Sequence, residues 1–178
     1  MHASSPSTKA TIRIDSHLAD GEESSLAQDA LDGLTRTLKE LPPKHFYDAR
    51  GAELFDRITE LPEYYPTRAE RAILESSAGE IAAATSASEL VELGSGTASK
   101  TRVLLDALRA ASTLVRYVPV DVTETMVRAC AQELTEEYPG LKVHGVIGDF
   151  ERHLDRVPER AGPRLVVFLG GTIGNFPP

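Results

Sequence analysis

Residues 90–101, LVELGSGTASKT, set Gly94 and Gly96 around a serine directly after a short apolar run, and residues that favour helix follow. A strand running into a helix through a glycine turn is the junction from which α/β folds are built. Working outward, the same rhythm continues to the C-terminus. ELVEL is followed by SKTRVLLDALRA, VRYVPV by ETMVRACAQELTEEY, and KVHGVI by a short segment around ERHLDRV, before RLVVFL closes the series. Short apolar runs alternating with helical segments predict a parallel sheet with helices on its faces.

Upstream of the glycine turn the pattern is helical. Leu26, Ala30, Leu31, Leu34 and Leu38 share one helical face, and the prolines of LPPKHFYD end that helix. GAELFDRITEL predicts a second helix with Leu54, Phe55 and Ile58 turned inward. In TRAERAILESSAGEIAAA, Thr67 and Glu70 have the spacing of a capping box, and Ile73, Leu74 and Ile81 continue a buried stripe. Residues 1–24 are rich in Ser, Thr and small polar groups and read as a loose tail, 25–86 as a helical part and 87–178 as the sheet domain. GGTIGNFPP follows the fourth predicted strand directly, which leaves a doubly wound sheet short of strands and predicts that the natural protein continues.

Composition narrows the function classes. At 178 residues one domain with a sizeable core is expected. The formal net charge of −8 argues against a sequence-independent grip on a phosphate backbone, so nucleic acid is not an expected partner. No apolar run reaches the roughly 20 residues of a membrane helix, and the N-terminus lacks the basic start and apolar centre of a secretory signal. A cytoplasmic protein with no membrane association is expected. Cys130 has no partner for a disulfide and sits in a helical pattern, where it reads as a small core residue. The five histidines show no metal-ligand spacing, and no metal is expected.

Ligands of α/β sheets collect at the carboxyl ends of the strands, where Gly94 and Gly96 lie. A nicotinamide dinucleotide would favour G-x-G-x-x-G, but Ser99 takes the third glycine's place; a P-loop needs four residues between its glycines, and there is one. What remains is an acid, Glu92, ahead of G-x-G. The second strand ends in VPVD, placing Asp121 where a carboxylate can accept from two ribose hydroxyls. The third ends in VIGDF, offering Asp149 to an exocyclic amine and Phe150 to the face of a base. Each piece alone is equally compatible with a cap, a turn or core packing, but together they form one adenosine site. An anionic Glu92 near the loop suits a cationic sulfonium better than a pyrophosphate, which makes S-adenosylmethionine the preferred ligand.

Taken with LPPKHFYDARGAELFDRITELPEYYPTRAE, GDFERHL and RLVVFLGGTIGNFPP, in this order from about residue 41 onward, the sequence resembles the S-adenosylmethionine-dependent histidine Nα-methyltransferases of ergothioneine biosynthesis. YYPTR and GGTIGN are its most specific motifs. The resemblance implies a Rossmann-like class I methyltransferase sheet with a second substrate domain, formed by the N-terminal helices and a C-terminal segment. It implies Gly94, Lys100, Asp121, Asp149 and Phe150 around the cofactor, with Lys100 on the methionine carboxylate, and Tyr47, Tyr64 and Asn175 on the amino-acid substrate. Phenols and an amide can hold an α-amino-carboxylate by hydrogen bonds without adding a charge. Tyr47 is in addition the candidate for substrate positioning or proton relay. The implied activity is transfer of methyl groups to the α-nitrogen of histidine, giving the trimethylated betaine hercynine, by a protein that is monomeric at full length. Two other classes stay open: an S-adenosylmethionine-binding module or a methyltransferase acting on another small amine, and, less favoured, an NAD-dependent oxidoreductase.

Overall fold

The structure is a computed structural model and describes residues 11–18, 24–42, 45 and 49–175. Its centre is a five-stranded sheet of strands β1 (Thr11–Ser16), β2 (Glu89–Leu93), β3 (Arg116–Asp121), β4 (Lys142–Ile147) and β5 (Arg164–Val167). They lie in the order β1-β4-β3-β2-β5, and every pairing is parallel. From β2 the chain builds outward through β3 to β4, then returns to place β5 on the other side of β2. The order reverses between β2 and β5, and a ligand crevice is expected above that point.

The connecting helices are α4 (Thr101–Ala110), α5 (Glu124–Glu137) and the short α6 (Phe150–His153). Leu104, Leu105 and Leu108 of α4 and Cys130, Ala131 and Leu134 of α5 are buried against Leu90, Tyr117 and Val143 in one apolar cluster. Burying a Leu or Val side chain contributes on the order of 2 kcal/mol, so this packing of helices on one sheet face is a major source of the domain's stability. Cys130 is part of it, and burial pushes its thiol up to about 12, which keeps it protonated and inert at neutral pH.

Ahead of the sheet domain lie α1 (Ser24–Thr35), α2 (Ala49–Thr59) and α3 (Pro66–Thr85). Only α3 contributes to the core, through Leu74, Ala78 and Ala82, with Ile81 packed at the margin. Several expectations are corrected in this region. Ile73 is exposed, because the residues that meet α4 are offset from it by one position. Leu54, Phe55 and Ile58 are not turned into a core; each stays about 40% exposed, and Phe55 instead meets the Tyr64 ring edge to face at 6.0 Å. The first helix ends at Thr35 and leaves Leu38 exposed. Proline at the first position of α3 starts that helix at residue 66, ahead of Thr67, and no side-chain cap forms.

The largest correction concerns the expected loose tail. Thr11–Ser16 is a strand, paired in register with Lys142–Ile147 of β4 along its whole length. His144 and Asp15 join the two strands through a 2.7 Å contact between Nε2 and Oδ2, and His17 donates its backbone N–H to Ile147 O at 2.8 Å. Ile14 is the partly covered isoleucine of this strand, whereas Ile12 stays 42% exposed.

Candidate functional site

The loop after β2 is shaped by backbone geometry. Gly94 and Gly96 have φ of +68° and +49°, and between them and α4 lies Ala98 at +52°. Glycine reaches this region without cost, whereas Ala98 is held there by its burial. Gly94 N donates to Val120 O at 2.8 Å, which ties the turn to the end of β3. Asp121 completes the tie: Oδ2 accepts from Gly96 N and Oδ1 from Thr123 N, both at 2.9 Å. Gly148 N donates to Asp121 O at 2.9 Å, bringing the end of β4 alongside.

That end carries Asp149 and Phe150. Asp149 O accepts from Arg152 N and His153 N, and Asp149 N donates to His153 Nδ1 at 3.1 Å, so the turn into α6 is fixed by its own first residues. Phe150 meets Phe168, just past β5, at 5.2 Å in an edge-to-face pair. A Cβ added at Gly94 would meet Phe168 at 3.8 Å and Phe150 at 4.0 Å, ordinary contact distances, so it is the φ of +68° rather than crowding that calls for glycine there.

These groups open into one cavity of about 1050 Å3 lined by Glu92, Gly94, Gly96, Lys100, Asp121, Asp149 and Phe150, with Tyr64 on the side of the N-terminal helices. All seven sequence-predicted cofactor positions therefore come together, from the ends of three adjacent strands. Tyr47 lies outside the described residues. Asn175 ends a 3-10 turn, Thr172–Asn175, whose last side chain is likewise outside them.

Glu92 differs from the sequence reading. It is 4% exposed, and its two oxygens accept from Thr101 Oγ1 and from the Tyr117 hydroxyl. Desolvation pushes its carboxyl up to about 7, against the opposing effect of those two hydrogen bonds. It is a buried brace beneath the glycine loop whose charge is lost as pH falls below about 7, rather than a fully ionised acid exposed beside it.

Two features escaped sequence reasoning. Glu70 of α3 accepts from Lys100 Nζ and, at 2.6 Å, from Gly170 N. Its neighbour Arg71 donates to Ser99 O at 3.1 Å. The motif YYPTRAE was visible, but Glu70 read as a helix cap. Ser95 Oγ is the one buried side-chain polar atom without a partner among the described residues, and Ser95 lines the cavity. Among the described residues no cluster of His, Cys, Asp and Glu could hold a metal, and no helix is long and apolar enough to cross a membrane.

The residues fit an adenosine-bearing ligand. Two strand-end carboxylates stand at neighbouring strands, an aromatic ring borders the same space, and an unpartnered hydroxyl lies in the glycine loop. A parallel sheet with this crevice at its switch point defines a nucleotide-binding protein of the Rossmann-like α/β class.

Comparison with known proteins narrows the class. The sequence model of the family described as histidine-specific, S-adenosylmethionine-dependent methyltransferases matches residues 26–178, and the chain belongs to that family. It is 52% identical over 169 residues to the histidine N-alpha-methyltransferase of Mycolicibacterium smegmatis, covering 94% of this chain and 52% of that protein. It is 36% identical to ergothioneine biosynthesis protein 1 of Schizosaccharomyces pombe, over 82% of this chain and 20% of that protein. With a 4-dimethylallyltryptophan N-methyltransferase of Claviceps purpurea it shares 34% identity, over 86% of this chain and 46% of that protein. The chain spans about half the length of the mycobacterial relatives it matches.

Proposed function

We propose that this protein transfers methyl groups from S-adenosylmethionine to the α-amino nitrogen of histidine and carries the reaction to the trimethylated betaine. The observation that supports this best is the convergence of Asp121, Asp149, Phe150 and the glycine loop on one cavity, in a chain of the histidine-specific family. In this reading Asp121 accepts from the ribose hydroxyls and Asp149 from the adenine amine, while Phe150 packs on the base. Gly94 and Gly96 let the ligand approach the backbone, and Lys100 pairs with the methionine carboxylate.

When bound, the cofactor supplies an electrophilic methyl group on a sulfonium. The chain's part is to align the attacking nitrogen and to keep water away, since in-line displacement is accelerated by positioning more than by a strong base. Tyr64, Tyr47 and Asn175 are assigned to the amino-acid substrate. The amine must be neutral at attack, and Tyr47 is assigned to position it or relay its proton.

The test is incubation of the protein with S-adenosylmethionine and a panel of free amino acids that includes tryptophan derivatives, followed by mass spectrometry. Histidine should give products heavier by one, two and three methyl groups. Asn175→Ala should remove product while leaving S-adenosylhomocysteine affinity largely unchanged. Methylation of a different amine with histidine untouched would overturn the substrate, and equal loss of product and cofactor affinity in the variant would overturn the role of Asn175.

A further inference from the structure

Glu70 comes from α3, while Lys100 and Gly170 come from the loops after β2 and β5. Those two loops flank the switch point of the sheet, and one carboxylate joins both. Glu70 and Lys100 line the same cavity, with side chains 28% and 21% exposed. The pair is only partly buried, so both charged ends remain within reach of a molecule in the cavity. Gly170 has φ +86°, and a Cβ added to it would come to 3.3 Å from Lys100 Nζ, tighter than an ordinary contact. The loop after β5 therefore runs directly beside the ammonium.

We propose that the Glu70–Lys100 pair reads a zwitterionic α-amino-carboxylate, with Lys100 taking the carboxylate and Glu70 taking the α-ammonium. Such a ligand end carries opposite charges on neighbouring atoms, and the pair presents the complementary charges side by side. Both groups have capacity left. A carboxylate has about four acceptor sites, of which Lys100 and Gly170 N occupy two; an ammonium has three donors, of which Glu70 takes one. The amino-acid end of the cofactor and that of the acceptor share this chemistry. Position in the glycine loop favours the cofactor, because Lys100 follows Gly94 and Gly96 within the same connection between β2 and α4. The inference rests on the proposed cofactor site and adds to it a residue from the N-terminal helices.

The experiment is calorimetric titration of wild type and Glu70→Gln with three ligands. S-adenosylhomocysteine has the whole amino-acid end, its deamino analogue keeps only the carboxylate, and 5′-methylthioadenosine has neither group. Glutamine retains an oxygen for Gly170 N and loses the charge, and equal melting temperatures would show that the fold is intact. Glu70→Gln is expected to weaken S-adenosylhomocysteine about tenfold or more, as for loss of a charge-assisted hydrogen bond, and to leave methylthioadenosine unchanged. The deamino analogue should bind both proteins equally, the two changes being non-additive because they remove one interaction. Titrating histidine into the S-adenosylhomocysteine complex separates the two sources: a loss confined to histidine supports the pair as a reader of the acceptor. Equal weakening of S-adenosylhomocysteine and methylthioadenosine would overturn the proposal and leave Glu70 a holder of loops. If wild type binds methylthioadenosine as tightly as S-adenosylhomocysteine and Glu70→Gln leaves histidine binding unchanged, this proposal alone falls; if it binds neither nucleoside, the cofactor reading falls with it.

Discussion

Glu92 illustrates what burial does to a single residue. The strand-end position suggests an anion, yet the carboxyl lies beneath the loop with its proton held to about pH 7, against about 4.5 for an ordinary glutamate. Below about 4.5 the group is protonated in the folded and unfolded chain alike. Between about 4.5 and 7 the unfolded chain releases the proton and the fold keeps it, so stability falls as pH rises through this window. The full loss above it is on the order of 3 kcal/mol. Glu92→Gln removes this titration and should flatten the decline, read from urea denaturation midpoints at half-unit pH steps. An unchanged slope would show that Glu92 titrates as an exposed acid does. Asp121 and Asp149 were legible because an acid directly after a strand has few positions to occupy. The environment of Glu92 was not, since Thr101 and Tyr117 reach it only once α4 and β3 are in place.

At the scale of elements, β4 is clasped between β1 and α5, and the clasp depends on one missing side chain. A Cβ built on Gly145 would lie 2.5 Å from Val127 Cγ1 and 3.5 Å from Ile14 Cγ1. Gly145→Ala should therefore destabilise the fold by about 1–3 kcal/mol through overpacking, measured as a lower denaturation midpoint at constant slope. A neutral result would mean that Val127 or β1 yields freely. The strands and helices after residue 88 were legible because period and length there agree with their burial on two faces. β1 was not: its alternation spans only TIRIDS, and what makes it a strand is the distant edge of β4. Likewise the apolar faces of α1 and α2 announced helices truthfully without revealing that Leu31, Leu34 and Phe55 stay exposed.

For the molecule as a whole, the cavity touches the loops after β2, β3, β4 and β5 and also the N-terminal helices. A ligand there binds only the folded arrangement of all of them, so it should stabilise the entire chain. S-adenosylhomocysteine at a hundred times its dissociation constant is expected to add about 2.7 kcal/mol, or roughly 5–10 °C in melting temperature for a chain of this size. Scanning calorimetry checks this, and no shift at millimolar ligand would remove the cavity as the nucleoside site. Fold class and the strand ends that line the cavity were thus readable from the alternation of elements and from residues at strand ends. Glu70 was hidden because its partners lie in loops far along the chain, and only folding brings them to it.

The pairing of β1 with β4 also orders events during synthesis. Thr11–Ser16 leaves the ribosome before the strand it must lie beside, which follows on the order of a hundred residues later, roughly ten seconds at ordinary elongation rates. Until then Thr11–Ser16 has no neighbouring strand to share hydrogen bonds with, and it docks only after the two strands between which the sheet grows, β2 and β3, have been made.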